Sequence, residues 1–151
     1  MRIVAALLSE SAVARDGLIS ILNAGVNIIS NESLPAPLST TLAVVLELDS
    51  EDIVSSFQIE MSVYHGADDT GSLLGTTEAF WEAGDPAFSD LPSFVNLAVP
   101  LAPIILTEYG IHSIKIVAGN LPPFYIQFKA IQLEGSLSYD EMRKRISEKT
   151  L

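Results

Sequence analysis

The chain has 151 residues, of which 48% are hydrophobic, and a formal net charge of −11. This length favours one domain with its own core, and the acidic balance disfavours nucleic acid, because phosphates would be repelled. There is no cysteine, which excludes disulfides and thiolate chemistry and is typical of a reducing compartment. No apolar run approaches the roughly 20 residues of a membrane helix. We therefore expect a cytoplasmic protein that binds neither nucleic acid nor a membrane.

Alternation of apolar and polar residues predicts a chain made almost entirely of strands. The clearest stretch is 54–63, VSSFQIEMSV. A period of two is typical of a strand with one buried face and one solvated face. Four side chains of this stretch are therefore predicted to face a core: Phe57, Ile59, Met61 and Val63.

Eight further stretches have the composition of strands, with turn residues between them. The turn at Asp16-Gly17 and the proline-rich stretch 31–38 are examples, and the latter is predicted to cross between sheets because proline cannot donate to a ladder. Residues 49–52 are predicted to be a charged connection. Eight or nine strands in this arrangement favour an all-β fold, an antiparallel β-sandwich formed by residues 1–137. The other predicted strands are 3–8, 18–22, 26–29, 40–48, 73–82, 94–99, 111–118 and one beginning at residue 124.

Residues 138–151 are predicted to form a short C-terminal α-helix. Ser138, three residues before Glu141, gives a capping-box pattern. Residues 1–137 carry 4 basic and 16 acidic side chains, a net of 4 − 16 = −12. We therefore expect the tail to dock on an acidic surface of its own chain or of a neighbouring copy, which would give a homo-oligomer; a frayed, solvated end is the alternative. The partner-binding residues predicted in this tail are Tyr139, Met142, Arg143 and Ile146.

The loop 65–71, HGADDTG, offers a histidine, two carboxylates and a hydroxyl to a metal ion. Zinc sites use three or four ligands and calcium takes six to eight oxygens, and nothing in the spacing guarantees that the second histidine, His112, comes near His65. A solvated turn is therefore predicted, with no metal and no cofactor. No nucleophile or phosphate-binding motif occurs, and Glu78 and Glu82 would lie ~13 Å apart on one strand face. We predict that the protein is not an enzyme; a hydrolase using His65 and loop carboxylates ranks third.

Aromatic residues cluster in sequence around the irregular connection 83–92. Such rings usually pack in a core, but exposed rings are enriched at protein interfaces and can stack on sugars. The leading prediction is a non-catalytic protein-binding or assembly module. The alternative is a small-ligand or carbohydrate-binding β-sandwich whose ligand-binding residues are Phe80, Trp81 and Phe88. An exposed aromatic platform would favour the ligand, and a large apolar sheet surface would favour assembly.

Two segments carry a resemblance to a known family. Residues 5–25, AALLSESAVARDGLISILNAG, combine an apolar strand, a polar turn ending in Asp-Gly, and a second strand ending near a glycine. Together with residues 103–118, PIILTEYGIHSIKIVA, this segment resembles a family of small bacterial β-sandwich proteins of unknown function. The resemblance spans about residues 3–131. It implies the sandwich fold and supplies no activity.

Overall fold

The computed structural model describes residues 1–83 and 93–133. The chain is almost entirely β, as predicted. Within the described ranges there are eleven strands and one short helix, in this order: β1 (Arg2–Arg15), β2 (Leu18–Ala24), β3 (Ile28–Asn31), β4 (Ala36–Pro37), β5 (Thr41–Leu48), α1 (Ser50–Ile53), β6 (Phe57–His65), β7 (Ser72–Trp81), β8 (Ser93–Pro100), β9 (Ile105–Leu106), β10 (Gly110–Ala118) and β11 (Phe124–Gln132).

The strands form two larger sheets and one small one. Sheet A has four strands in the order β2-β1-β5-β8, and sheet B has five in the order β3-β11-β10-β6-β7, while β4 pairs with β9. Neighbouring strands are antiparallel except β3 and β11, which are parallel. The prediction of purely antiparallel strands is therefore wrong at this pair. A parallel neighbour needs a long crossover, and the chain between β3 and β11 supplies it.

Alternate residues of the central strands form the core. One hydrophobic cluster contains buried side chains of both larger sheets. The predicted inward face of β6 is confirmed for three residues, whereas Phe57, at the first position of the strand, is only half-buried and packs against the edge of the cluster. The core side chains that are at most 1% exposed include Leu42, Val44, Leu46 and Leu48 of β5, Ile59, Met61 and Val63 of β6, and Ile114 and Ile116 of β10.

Two local predictions need correction. The strand count of eight or nine is too low, because the proline-containing pair β4 and β9 forms a two-residue ladder that has no periodicity to detect. The predicted connection 49–52 instead contains α1. The carboxylate of Asp49 accepts the Asp52 backbone N–H at 3.2 Å, and the Asp52 carboxylate accepts the Asp49 N–H at 3.2 Å. This capping box starts the helix, so β6 begins at Phe57 rather than at Val54.

Two of the predicted features fall outside the described residues. No helix within residues 1–83 and 93–133 is long and apolar enough to cross a membrane. The predicted C-terminal helix of residues 138–151, with Tyr139, Met142, Arg143 and Ile146, lies outside the described residues, and so does Phe88.

Candidate functional site

The β6–β7 hairpin places an exposed ring between carboxylates at the edge of sheet B. Across the hairpin, Gln58 pairs with Phe80, and Glu60 pairs with Glu78. These residues alternate with the buried Ile59 and Met61, so they point away from the core. Phe80 is 71% exposed. We call this surface the acidic aromatic face and define it by the side chains Gln58, Glu60, Glu78, Phe80 and Glu82.

Two like charges oppose each other in this face. Glu60 and Glu78 are direct cross-strand partners, which places their Cβ atoms at about 4.5–5.5 Å. The Glu60 carboxylate accepts a hydrogen bond from Ser62 Oγ at 3.2 Å, and that hydroxyl lies 3.0 Å from Thr76 Oγ1. Within the described part of the chain, Glu60, Glu78 and Glu82 have no ion pair. Like charges directly opposite each other destabilise a sheet, so a bound cation would relieve the repulsion between Glu60 and Glu78.

The basic residue on the neighbouring strand, Lys115, already has an acidic partner. Lys115 of β10 lies opposite Ser62, but its Nζ donates to the Asp69 carboxylate at 2.6 Å. This hydrogen bond lowers the pKa of Asp69 and raises the pKa of Lys115. Gln127 Nε2 donates to the Ala67 carbonyl at 2.7 Å. The 66–71 loop is thus held over the outer side of sheet B, and Lys115 cannot neutralise Glu60 while it is bound to Asp69.

The loop carboxylates considered for a metal ion have protein partners. Asp68 Oδ1 accepts hydrogen bonds from the Thr70 backbone N–H at 2.9 Å and from the Thr70 hydroxyl at 2.6 Å, which lower the pKa of Asp68. Asp69 is bound to Lys115. In residues 1–83 and 93–133, no group of three or more histidine, aspartate or glutamate side chains is arranged to hold a metal ion.

The two histidines are close, although their spacing in the sequence does not guarantee it. Pairing of β6 with β10 makes His65 and His112 direct partners, with ring centroids 4.9 Å apart. His112 is fully buried, stacks on Phe128 at 5.1 Å, and has Nδ1 3.1 Å from the Gly110 carbonyl oxygen. Burial lowers the pKa of His112. Register between distant strands, which sequence spacing does not reveal, brings this pair together at the end of the core.

A hollow lies beside the acidic aromatic face. Phe57 and Trp81 stack with ring centroids 6.4 Å apart, and Trp81 Nε1 is buried with no hydrogen-bond partner in the described structure. Phe80 and Trp81 are consecutive residues of β7 and point to opposite sides of it, so these two rings do not form one flat platform. The hollow measures about 390 Å³ and is lined by Ser56, Phe57, Gln58, Phe80, Trp81 and Glu82.

The β1–β2 hairpin carries a second exposed surface. Its turn residues Asp16 and Gly17 both have positive φ, 52° and 74°, as a tight two-residue hairpin turn requires. Asn96 of β8 donates to the Gly17 carbonyl at 2.7 Å and fixes the tip. Three aliphatic side chains of this hairpin are more than half exposed: Val13 (57%), Leu18 (73%) and Leu22 (59%). They are apolar, whereas the β6–β7 surface is charged.

Sequence reasoning named Phe80 and Trp81 and considered Glu78 and Glu82 as an acid–base pair, but it missed Glu60 and its pairing with Glu78. Their pairing follows from the register of the β6–β7 hairpin, which can in principle be derived by counting residues from the turn. A bulge between Val63 and Tyr64 shifts that count by one residue, and a shift of one moves every pair to the other face. Glu60 opposite Glu78 is therefore visible only in the structure.

No protein-family model matches the chain, and no curated protein is significantly similar to it. The resemblance to small bacterial β-sandwich proteins stays a prediction.

Proposed function

We propose that the protein is a non-catalytic, cytoplasmic β-sandwich module that binds a protein partner through the acidic aromatic face. The shared hydrophobic cluster of sheets A and B supports the sandwich, and the absence of cysteine supports the compartment. One observation carries the function: Phe80 is 71% exposed on an edge strand, beside the opposed carboxylates Glu60 and Glu78.

The chemistry of this face fits a positively charged segment. A guanidinium or ammonium group is attracted to the face of an aromatic ring, and carboxylates give charge-assisted hydrogen bonds to arginine. A neutral sugar could donate hydroxyl hydrogen bonds to Glu60 and Glu78 but would not neutralise their charge. Because β7 is an edge strand, its outer backbone groups can also pair with an extended segment.

The test uses Trp81, the only tryptophan of the chain, as a fluorescent reporter beside the face. The probe is a synthetic hexa-arginine amide, titrated into the full chain at low ionic strength. We expect a saturable change in Trp81 emission that weakens with salt. Glu78→Gln should raise the dissociation constant about two- to fivefold, the effect of losing one exposed ion pair.

The matched control is Glu32→Gln, which changes the net charge equally at an exposed loop position without an ion pair in the described structure. The control should leave the dissociation constant unchanged. Equal weakening by both variants would mean that the peptide senses only overall charge, and the proposed face would be rejected.

A second candidate function is binding of a small ligand in the hollow. The Nε1 donor of Trp81, which has no partner among residues 1–83 and 93–133, favours it, because a ligand acceptor would satisfy that group. Titration with methyl β-glucoside tests the carbohydrate version. A saturable shift of Trp81 emission, lost in Phe80→Ala, would favour the ligand over the protein partner, and an unchanged spectrum would reject this sugar as a ligand.

A further inference from the structure

Positive charge in this chain is concentrated near its end. The described residues carry 4 basic and 13 acidic side chains, a net of 4 − 13 = −9, and three of those bases are in ion pairs. Residues 143–149, RKRISEK, carry 4 bases and one acid. Met142 and Ile146 add apolar side chains to this stretch. Its charge and its apolar residues both complement the acidic aromatic face.

The distance across sheet B decides whether a chain covers its own face. His65, His112 and Phe128 lie side by side across β6, β10 and β11. Along β6, Glu60 lies five residues before His65, and along β11, which runs in the same direction, Leu133 lies five residues after Phe128. Each residue step is one row. Ten rows at ~3.3 Å and three strand spacings of ~4.8 Å from β11 to β7 put Leu133 about 36 Å from Glu78.

A helical tail reaches the acidic aromatic face of its own chain only at full extension. Residues 134–137, fully extended, span ~13 Å, and the predicted helix adds ~9 Å up to Arg143. On this straight path the Cα atom of Arg143 stops about 14 Å short of Glu78 of the same chain and that of Lys149 about 5 Å short, so a tail reaches its own face only when the linker and the side chains are fully extended. A second copy has no such limit, since its tail can approach the face from solvent.

We propose that the acidic aromatic face of one copy binds residues 138–151 of a second copy of this chain. This inference rests on the proposed function and names its partner. The bases of the segment lie against Glu60, Glu78 and Glu82, and relieve the repulsion between the first two. Phe80 receives an arginine or the apolar side of the helix. A helix this short is only marginally stable alone, so docking also supplies the surface on which it forms.

The experiment is sedimentation equilibrium of the full chain at low and high salt. We expect an assembly of two or more copies whose dissociation constant rises with salt. Two variants change the two sides of the contact, one on the acidic aromatic face and one on the tail. One is Glu60→Gln with Glu78→Gln, and the other is the triple charge reversal Arg143→Glu, Lys144→Glu and Arg145→Glu. Each should raise the dissociation constant about tenfold or more.

Two further chains make the result specific. Glu32→Gln with Glu51→Gln removes the same charge from two other exposed positions and should leave the assembly intact. A chain with both Glu78→Lys and Arg143→Glu exchanges the charges across the contact and should assemble more tightly than either single variant. A monomeric wild-type chain, or an assembly that survives the changes on both sides of the contact, would overturn the inference.

The hexa-arginine titration separates this inference from the proposed function. If the wild-type chain is monomeric but the peptide binds and is weakened by Glu78→Gln alone, the face has another basic partner and only the self-association fails. If the peptide does not distinguish Glu78→Gln from Glu32→Gln, the proposed function fails as well.

Discussion

The two sides of the β6–β7 hairpin differ in burial and in charge. On the inner side, Ile59, Met61 and Val63 are 0% exposed and belong to a single cluster. On the outer side, one residue away along the same strands, Glu60 opposes Glu78 and Phe80 stands in solvent. The inner side is optimised for packing, whereas the outer side keeps an arrangement that costs stability. A local conflict beside a consistent core is typical of a binding surface.

Truncation should separate the two sides most clearly. Met61→Ala removes a fully buried side chain and should lower the free energy of unfolding by about 2–5 kcal/mol. Phe80→Ala, on the exposed side, should change it by less than about 0.5 kcal/mol. Urea melts followed by circular dichroism measure both. A loss in Phe80→Ala as large as that in Met61→Ala would show that Phe80 is covered in solution.

The core beside the hairpin should also be sensitive to acid, through the buried His112 of β10. Burial lowers its pKa in the folded chain, so the unfolded chain binds the proton more readily as the pH falls below about 6.5. The stability due to neutral His112 is therefore present above that pH and is lost below it, at no more than about 1.4 kcal/mol per pH unit. His112→Gln should flatten this slope in urea melts at a series of pH values. An unchanged slope would assign the titration to other groups.

A smaller gain is expected on the outer side. Glu78→Gln removes the repulsion with Glu60 and should raise the free energy of unfolding by about 0.2–1 kcal/mol at low salt. The gain should shrink at high salt because the charges are screened. Glu32→Gln serves as the control and should leave thermal melts unchanged. Destabilisation by Glu78→Gln would mean that Glu78 has a favourable partner.

The smallest effect concerns the loop held over sheet B. Lys115→Met removes the larger of two side-chain hydrogen-bond contributions that lower the pKa of Asp69, while the one from Tyr125 remains. The pKa of Asp69 should rise towards its ordinary value, and NMR titration of the side-chain carboxyl carbon measures it. The pKa of Asp68 should stay low, because its hydrogen bonds come from Thr70. A simultaneous rise at Asp68 would show that the whole loop had moved.

Sequence alone predicted the elements that have a strict period of two. The inward face of β6 was found because one face of the strand is buried and the sequence alternates accordingly, and the predicted strand 40–48 contains β5. The two-residue ladder β4–β9 could not be found, since neither length nor periodicity marks it. A strand was predicted at 26–29, where β3 begins, but its parallel pairing with β11 was not. Helix α1 was missed although the sequence contains its capping residues, Asp49 and Asp52.

The candidate site was only half predictable. Phe80 and Trp81 stand out as aromatic residues at the end of a strand, and their opposite orientations follow from alternation. The pairing of Glu60 with Glu78 and the contact of His65 with His112 depend on register, which bulges and distant strands set. Sequence identifies which residues lie on a strand, and the register decides which of them meet.

The parallel pairing of β3 with β11 also sets an order for folding. Ile28 pairs with Lys129, 129 − 28 = 101 positions later, and contacts so distant in sequence make folding slow. The β1–β2 and β6–β7 hairpins can close as soon as they leave the ribosome, but β3 must wait until nearly all of the described chain has been made. A nascent chain that stalls before β11 leaves both β3 and β10 with open edges, and such edges recruit other chains into aggregates.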